Sequence, residues 1–547
     1  MLLLATRSWG RRMKSQCIPF RQIPHTTRLF LDYLEFTPNV QPFYPRLPCF
    51  LEWAKEESSR IEYPVDCRTR MADILQRQNK TWGASTPTLE NIARFRSGAC
   101  AVVTGQQVGL FGGPVFSLYK ALSAVKLASE ARRLGIDCVP IFWLATEDHD
   151  LEEVNQARIP MPEGPLERLT TSVTAAPDTP VGNVAFGPEI SETLNRALAL
   201  LGDSEAANLL SECYRPGETF GTAFAKFFAH LFSDFGVILL DGSDPELDEI
   251  ASPLYRAAIE RAPELTESLR KRDAQLHAAD YHQQVRVTDS STLLFVIRDG
   301  LRVPVQFAAP GKFLIGNEEI SHSQLIELSV SSPHSFSPNV LLRPVVQDYV
   351  LPTLAYVGGA AEVAYFAQAG VVYEELVGRI TPILPRFSAT LIEPKAQALL
   401  EKYRLAVPNV FHGPEALRET IGAHLLPPNL QSSFDQATTA VERSMKAVRE
   451  SLGQLDKTLV ESAEHAESKM IYQITNLRSR ASRAELRQSE VVGRHAEALS
   501  NALYRDKTLQ EREYAGVYFL AKHGRELLHG LLDTIHPDCL DHQLITL

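Results

Sequence analysis

Proline placement constrains this chain more than any other feature. The sequence holds 34 prolines, and all but Pro537 lie at or before Pro428, so the 108 residues from Asn429 to His536 contain none. Proline removes a backbone donor and clashes with the preceding turn, so long helices are permitted in that stretch and interrupted elsewhere. Within it, apolar side chains recur every seven residues at Phe434, Val441, Val448 and Leu455, with a second row at Met445, Leu452, Leu459 and Ala466. This is a heptad seam. The pattern resumes at Met470, Leu477, Ala484 and Val491, eleven residues after Leu459, which reads as a four-residue stutter relaxing the supercoil. A helix from Leu430 to Ala481 would run about 78 Å at 1.5 Å per residue, more than one small domain covers. The seam therefore implies a helical coiled coil over 429–510, an antiparallel hairpin or a dimerisation arm, with a long solvated helix packed once against its own core as the alternative. Residues 511–547 are expected as a C-terminal helix and tail returning to the core.

The first 428 residues alternate short β-branched or aromatic runs with helical segments, the pattern of an α/β fold. Candidate strands are Ala99–Val103, Cys138–Ala145, Val237–Leu240, Leu293–Ile297 and Val303–Phe307. Between the first two, Val115–Leu134 places Leu118, Leu122 and Val125 on one helical face. Strand, Gly-rich turn, helix and strand make a βαβ unit with parallel strands, and predict a Rossmann-like parallel sheet over 13–428. The proline-rich segment 160–190 reads as an insertion or exposed excursion.

Composition excludes several function classes. With 55 Lys and Arg against 66 Asp and Glu, the formal charge is −11, and no long basic stripe offsets it, so nucleic acid and anionic membrane surfaces are unexpected partners. No apolar run approaches the ~20 residues a spanning helix needs. At the N-terminus, Arg7, Arg11, Arg12 and Lys14 follow the apolar Met1–Ala5 rather than precede it, the wrong order for a secretory signal. Translation is expected to begin at Met13, with 1–12 extraneous. The seven cysteines (17, 49, 67, 100, 138, 213 and 539) are scattered without a CxxC pair, which suits a reducing cytoplasm and argues against a disulfide framework or thiolate zinc site.

Three blocks carry candidate chemistry. The first, Thr104-Gly105-Gln106-Gln107-Val108-Gly109-Leu110-Phe111-Gly112-Gly113-Pro114, lies between strand and helix. Its glycines permit close backbone approach, and free N–H groups at the helix start would form an anion site. Lys120 is placed to reach a phosphate or carboxylate. The spacing matches neither GxGxxG nor the Walker pattern, so glycines serving a tight crossover, beside a solvated lysine, remain an alternative. The second block, Glu147-Asp148-His149-Asp150 with Glu152, Glu153 and Asn155, sits where the second strand ends. Carboxylates beside an imidazole suit polar substrate binding or acid–base work, with helix capping as the alternative and no metal site expected. The third spans Arg343, Gln347 and Asp348, then Gly358, Gly359 and Glu362, then Arg386. Each arginine lies beside a proline in apolar text and needs a partner, either a ligand oxyanion or an internal Asp348 or Glu362. No GxSxG elbow or cysteine nucleophile context is present.

TGQQVGLFGGPVFSLYKALSAVKLA, FWLATEDHDLEEVN, SPNVLLRPVVQDYVLPTLAYVGGAAEVAYFAQ and PRFSATLIE, in that order, resemble the cysteine ligase family of bacillithiol biosynthesis (BshC). The opening IPFRQIPHTTRLFLDYL and closing DCLDHQLITL extend the likeness over about 15–547. Ala145-Thr146 stand where the family is expected to have Gly. The resemblance implies a Rossmann-like core related to nucleotide-binding ligases and a coiled coil used for homodimerisation. It also implies an activity, joining the carboxyl of L-cysteine to the amine of glucosaminyl-malate in the last step of the pathway. The activating donor stays open between ATP and another nucleotide.

A carboxylate does not condense with an amine in water without a leaving group. Gly105–Gly113 and Lys120 would stabilise charge on an activating phosphate. His149, Asp148 or Asp150 would take the proton of the sugar amine, with His149 the natural choice near neutral pH. Arg343 or Arg386 would hold malate carboxylates, with Glu147, Asn155, Gln347, Asp348, Gly358, Gly359 and Glu362 as further substrate contacts. Two rivals stand beside this reading: a nucleotidyltransferase-like enzyme activating another small carboxylate, and a nucleotide-binding coiled-coil scaffold without catalysis.

Overall fold

The computed structural model describes residues 13–161, 166–176, 179–425, 428–486 and 490–547. The expected extraneous segment 1–12 and parts of the 160–190 excursion lie outside the described residues. The chain forms two compact units, one of residues through Arg21, His25–Ala389 and Glu511–Gln543, the other of Gln22–Pro24, Thr390–Gln510 and Leu544–Leu547.

The first unit is built on a five-stranded sheet of β1 (Cys100–Gln106), β2 (Cys138–Leu144), β3 (Ile238–Asp241), β4 (Thr353–Gly358) and β5 (Ile383–Pro385), with α1 (Phe116–Arg133) crossing from β1 to β2. All pairings are parallel and the order is β5-β4-β1-β2-β3. Strands buried on both faces read as continuous apolar runs rather than alternations, and β2, Cys-Val-Pro-Ile-Phe-Trp-Leu, is wholly buried. Alternate residues of β1 enter different clusters: Ala101 and Val103 pack with Ile141 and Leu240, whereas Val102 packs with Leu127 and Ala128 of α1. Strand order reverses between β1 and β4, so the crevice beyond their carboxyl ends is the switch point where open α/β sheets bind ligands. Two helices approach that crevice, α2 (Arg343–Val350) and α3 (Ala360–Leu376).

The candidate strands at 293–297 and 303–307 form, but outside this sheet. They belong to a second, antiparallel sheet containing Ser291–Arg298, Leu301–Ala309, Lys312–Ile315, Glu318–Ser321 and Phe336–Pro338. The first two join through Asp299-Gly300, with φ of 52° and 79°, the left-handed pair that a two-residue hairpin requires. The excursion after residue 156 is not simply exposed. Ala157–Pro160 pairs antiparallel with Leu166–Leu169. The chain then returns, and buried Val181 and Gly182 donate to the carbonyls of Asp148 and Thr146 at 2.7 and 2.9 Å.

In the second unit the single helix expected through 430–481 is broken. α4 (Pro428–Leu455) and α5 (Leu459–Leu486) are separate helices, followed by α6 (Glu490–Leu503). Asp456 accepts from the Thr458 amide and hydroxyl at 2.8 Å, capping the reversal. Arg449 pairs with Glu467 at 3.3 Å and Arg478 with Asp435 at 3.0 Å, so residue numbers rise on one helix as they fall on the other. The hairpin is antiparallel, one of the arrangements the coiled-coil seam left open. Leu455 and Leu459 look like successive seam positions but flank the turn, and Leu455 is 79% exposed. Val448, Met470, Leu477 and Val491 are exposed too, while Met445 and Ala463 are buried. The side chain of Ala484 lies outside the described residues. Pro428 thus opens the hairpin, while the compact units divide at Ala389 and Thr390.

Candidate functional site

A cleft of about 370 Å³ opens at the carboxyl ends of β1, β2 and β4 in the first unit. Gly105 and Gln106 line it from β1, Gln107 from the turn that follows, and Glu147, Asp148 and Glu153 from the segment after β2. Arg343, Gly359, Glu362 and Arg386 line it from the third block, so members of all three sequence blocks meet in one place.

Lys120 comes from the second turn of α1 and is 4% exposed. Its Nζ donates to the Gly105 carbonyl at 2.7 Å and Gln106 Oε1 at 3.0 Å, and pairs with Glu362 Oε2 at 2.6 Å. Glu362 also accepts from the Gly359 amide and the Tyr356 hydroxyl, each at 2.6 Å, so it caps α3 while facing the cleft. Burial alone would raise its carboxyl, but Lys120 and these donors hold it below the usual carboxylate range. Burial pushes the Lys120 ammonium down, and Arg386 and Arg343 push it further. Gly358 serves this packing, because a Cβ there would lie 2.8 Å from Glu362 Cβ. Arg343 donates to the Tyr365 hydroxyl at 2.9 Å; despite burial, Tyr365, Tyr356, Glu147 and Glu362 hold its guanidinium firmly charged.

The acidic block divides in two. Gln107 Nε2 donates to Asp148 Oδ2 at 2.7 Å, joining the first and second motifs across the mouth. Glu147 Oε2 is buried without a hydrogen-bond partner, and burial raises its carboxyl above the usual value against the pull of Arg343. His149 and Asp150 are exposed and do not line the cleft. Instead His149 Nδ1 lies 3.3 Å from Arg302 Nη1, Asp150 caps Leu151–Val154 through the Glu153 amide at 3.0 Å, and Asn155 pairs with Thr171 backbone at 2.6 and 3.2 Å.

Other expected contacts also lie away from the cleft wall. Gly109, Gly112 and Gly113 are buried in the crossover, where Gly112 donates to the Tyr214 hydroxyl at 2.9 Å and, at φ +86°, has Phe227 Cε1 2.6 Å from any Cβ. The expected anion site at the helix start is closed: the Val115 amide donates to Tyr514 O at 2.8 Å and that of Ser117 to Pro114 O at 2.9 Å. Gly105 is needed because a Cβ would meet Trp143 O at 2.9 Å. Thr104 hydroxyl ties β1 to β4 through Val357 O at 2.8 Å. Gln347 and Asp348 are buried on α2; Asp348 accepts from Tyr373, and burial raises its carboxyl.

Sequence reading missed several lining residues. Arg302 follows the Asp299-Gly300 hairpin, a signal legible in the sequence; it bonds Ser337 Oγ at 3.1 Å and Pro338 O at 2.6 Å. Tyr356 and Tyr365 lay inside the quoted third block. Arg512 had no local signal, since only tertiary folding returns the C-terminal segment here. Arg386 pairs with Glu511 at 2.6 Å, with both side chains buried. Among the described residues no group of three or more His, Cys, Asp or Glu side chains is placed to hold a metal ion.

Comparison with known proteins agrees with this architecture. Residues 13–387 match the N-terminal Rossmann-like domain of bacillithiol biosynthesis BshC, and 389–547 match the C-terminal coiled-coil domain of that family. A protein of Koribacter versatilis named "Putative cysteine ligase BshC" is 47% identical over 97% of this chain and all of its own length. Proteins of the same name from Solibacter usitatus and Salinibacter ruber are 36% and 32% identical, covering 97% and 94% of this chain and 100% and 96% of their own. The chain belongs to the BshC family of bacillithiol biosynthesis.

Proposed function

We propose that this chain is a cysteine ligase that joins the carboxyl of L-cysteine to the amine of glucosaminyl-malate, the last step of bacillithiol formation. One observation carries the reading: the cleft at the β1/β4 switch point sets the carboxylates of Glu147 and Asp148 on a wall shared with Lys120, Arg343 and Arg512. An amide-forming site needs both, a base for the ammonium of the amine and cations for the anionic parts of its substrates.

Proton acceptance passes from His149, at the rim, to Glu147 or Asp148. Glu147 suits it best, because its buried Oε2 has no hydrogen-bond partner and burial raises its carboxyl above the usual value, both of which favour taking up a proton. Asp148, held by Gln107, orients the amine. Tyr356 and Lys120 keep Glu362 charged, which fixes the start of α3 at the cleft floor.

A nucleotide, ATP or another, would supply the leaving group that a bare carboxylate lacks. The start of α1 does not fit its phosphates, since the Val115 amide is already bonded and Lys120 is engaged by Glu362, Gly105 and Gln106. The exposed seam residues Val448 and Leu477 support a homodimer through the hairpin, and the free cysteines suit a reducing cytoplasm.

The test is ligation by the purified chain with L-cysteine, glucosaminyl-malate and a panel of nucleotides, with the thiol product identified by mass. Cysteine-dependent amide supports the reading. Consumption of a different amino acid instead of cysteine points to the nucleotidyltransferase-like alternative, and absence of turnover with every acid points to the scaffold.

A further inference from the structure

We propose that Arg512 is the anion-binding residue of the cleft, taking a carboxylate or phosphoryl group of the substrate, and that the buried Arg386–Glu511 ion pair positions it. For the identity of its substrate this rests on the ligase reading; for the anion it does not.

The other cations of the cleft are already engaged. Lys120 is held by Glu362, Arg343 donates to Tyr365, Arg302 donates to Ser337 and Pro338, and Arg386 pairs with Glu511. Arg512 lines the same cleft and makes no hydrogen bond or ion pair among the described residues. Its guanidinium lies 5.9 Å from the centre of the Phe116 ring, over which Arg386 also sits at 5.2 Å. Arg512 is exposed at the cleft; desolvation of its head group and then Arg386 draw its pKa below the usual arginine value, against the pull of Glu511, Glu362 and Glu153.

Its placement is built in. Glu511, 1% exposed, is clamped by Arg386 at 2.6 Å, by the Ser388 hydroxyl at 2.9 Å and by the Ala389 amide at 3.1 Å. Ser388 Oγ in turn lies 2.7 Å from His542 Nδ1. With its neighbour fixed, the backbone of Arg512 is held at the cleft, and its planar fork matches a carboxylate or phosphoryl group through paired hydrogen bonds. Phe116 supplies an apolar floor that strengthens such a contact.

The experiment titrates the full chain calorimetrically with malate and, separately, with inorganic phosphate. Wild type is expected to bind at least one, and Arg512→Ala to weaken that binding about tenfold or more. Arg512→Lys is expected to recover part of the loss, with melting temperatures of all three alike. Loss in the malate arm alone assigns the carboxylate, and loss in the phosphate arm alone assigns the phosphoryl group. Equal binding by wild type and Arg512→Ala, or binding of neither probe by wild type, overturns the proposal. In ligation assays Arg512→Ala should raise KM for glucosaminyl-malate about tenfold more than KM for cysteine if the carboxylate is bound. A wild type that forms no amide defeats the ligase reading, while the titrations still decide the role of Arg512.

Discussion

The cleft and the hairpin are opposites in how they treat solvent. At the cleft, charged side chains are withdrawn from water and bonded one to another: Lys120 with Glu362, Arg386 with Glu511. On the hairpin, apolar side chains such as Val448, Met470 and Leu477 stay in water. Burying a charge is costly without a partner, and so is exposing a row of apolar groups. Each region therefore meets a different cost: the cleft pairs its buried charges with one another, while the hairpin leaves apolar groups in water.

Breaking the cleft pair is expected to have the largest effect. Lys120→Met leaves Glu362 buried without its cation and should cost about 3–5 kcal/mol in denaturant unfolding, with activity lost. Adding Glu362→Gln should restore part of that stability, and failure to do so would place the cost elsewhere. Next comes the turn that looks like a ligand cradle. Gly112→Ala forces a side chain into left-handed backbone and against Phe227, for about 2–4 kcal/mol of destabilisation. The folded fraction should keep its KM for every substrate; a KM change would return the turn to the binding site.

A pH-dependent effect tests the acidic edge behind the cleft. Burial raises the Asp248 carboxyl from 3.8 to about 8, with Tyr255 donating to it at 2.8 Å. Between those values the folded chain keeps a proton that the unfolded chain releases, so folding stability should fall as pH rises from about 4 to about 8. Asp248→Asn should flatten that slope in denaturant titrations at several pH values. On the hairpin, Val448→Glu and Leu477→Glu should change stability by no more than about 0.5 kcal/mol, as exposed substitutions do. Light scattering should nonetheless show them shifting a dimer to monomer; an unchanged mass would remove the hairpin from the dimer contact.

Much of the core was legible because its elements are local. Cys138–Leu144 is an unbroken apolar run, and α1 carries Leu118, Leu122 and Val125 on one face. The hairpin was half legible: the heptads showed the helices, but spacing alone ran the seam straight through Leu455 and Leu459, across the reversal that Asp456 caps. Candidate site residues were recovered where the argument was topological. Gly105, Glu147 and Asp148 reach the cleft because strand ends converge there, whereas His149, Asp150 and Asn155, adjacent in sequence, turn to capping and backbone contacts.

Local propensity acts over a few residues, and on that scale the amino-acid order alone determined the strands, the long proline-free helices and the positions of the polar blocks. Which charges pair across hundreds of residues is settled by packing and by the need to satisfy buried groups. Glu362 reaching Lys120, Glu511 reaching Arg386, and Arg512 arriving at the cleft beside Phe116 were decided only by the tertiary structure.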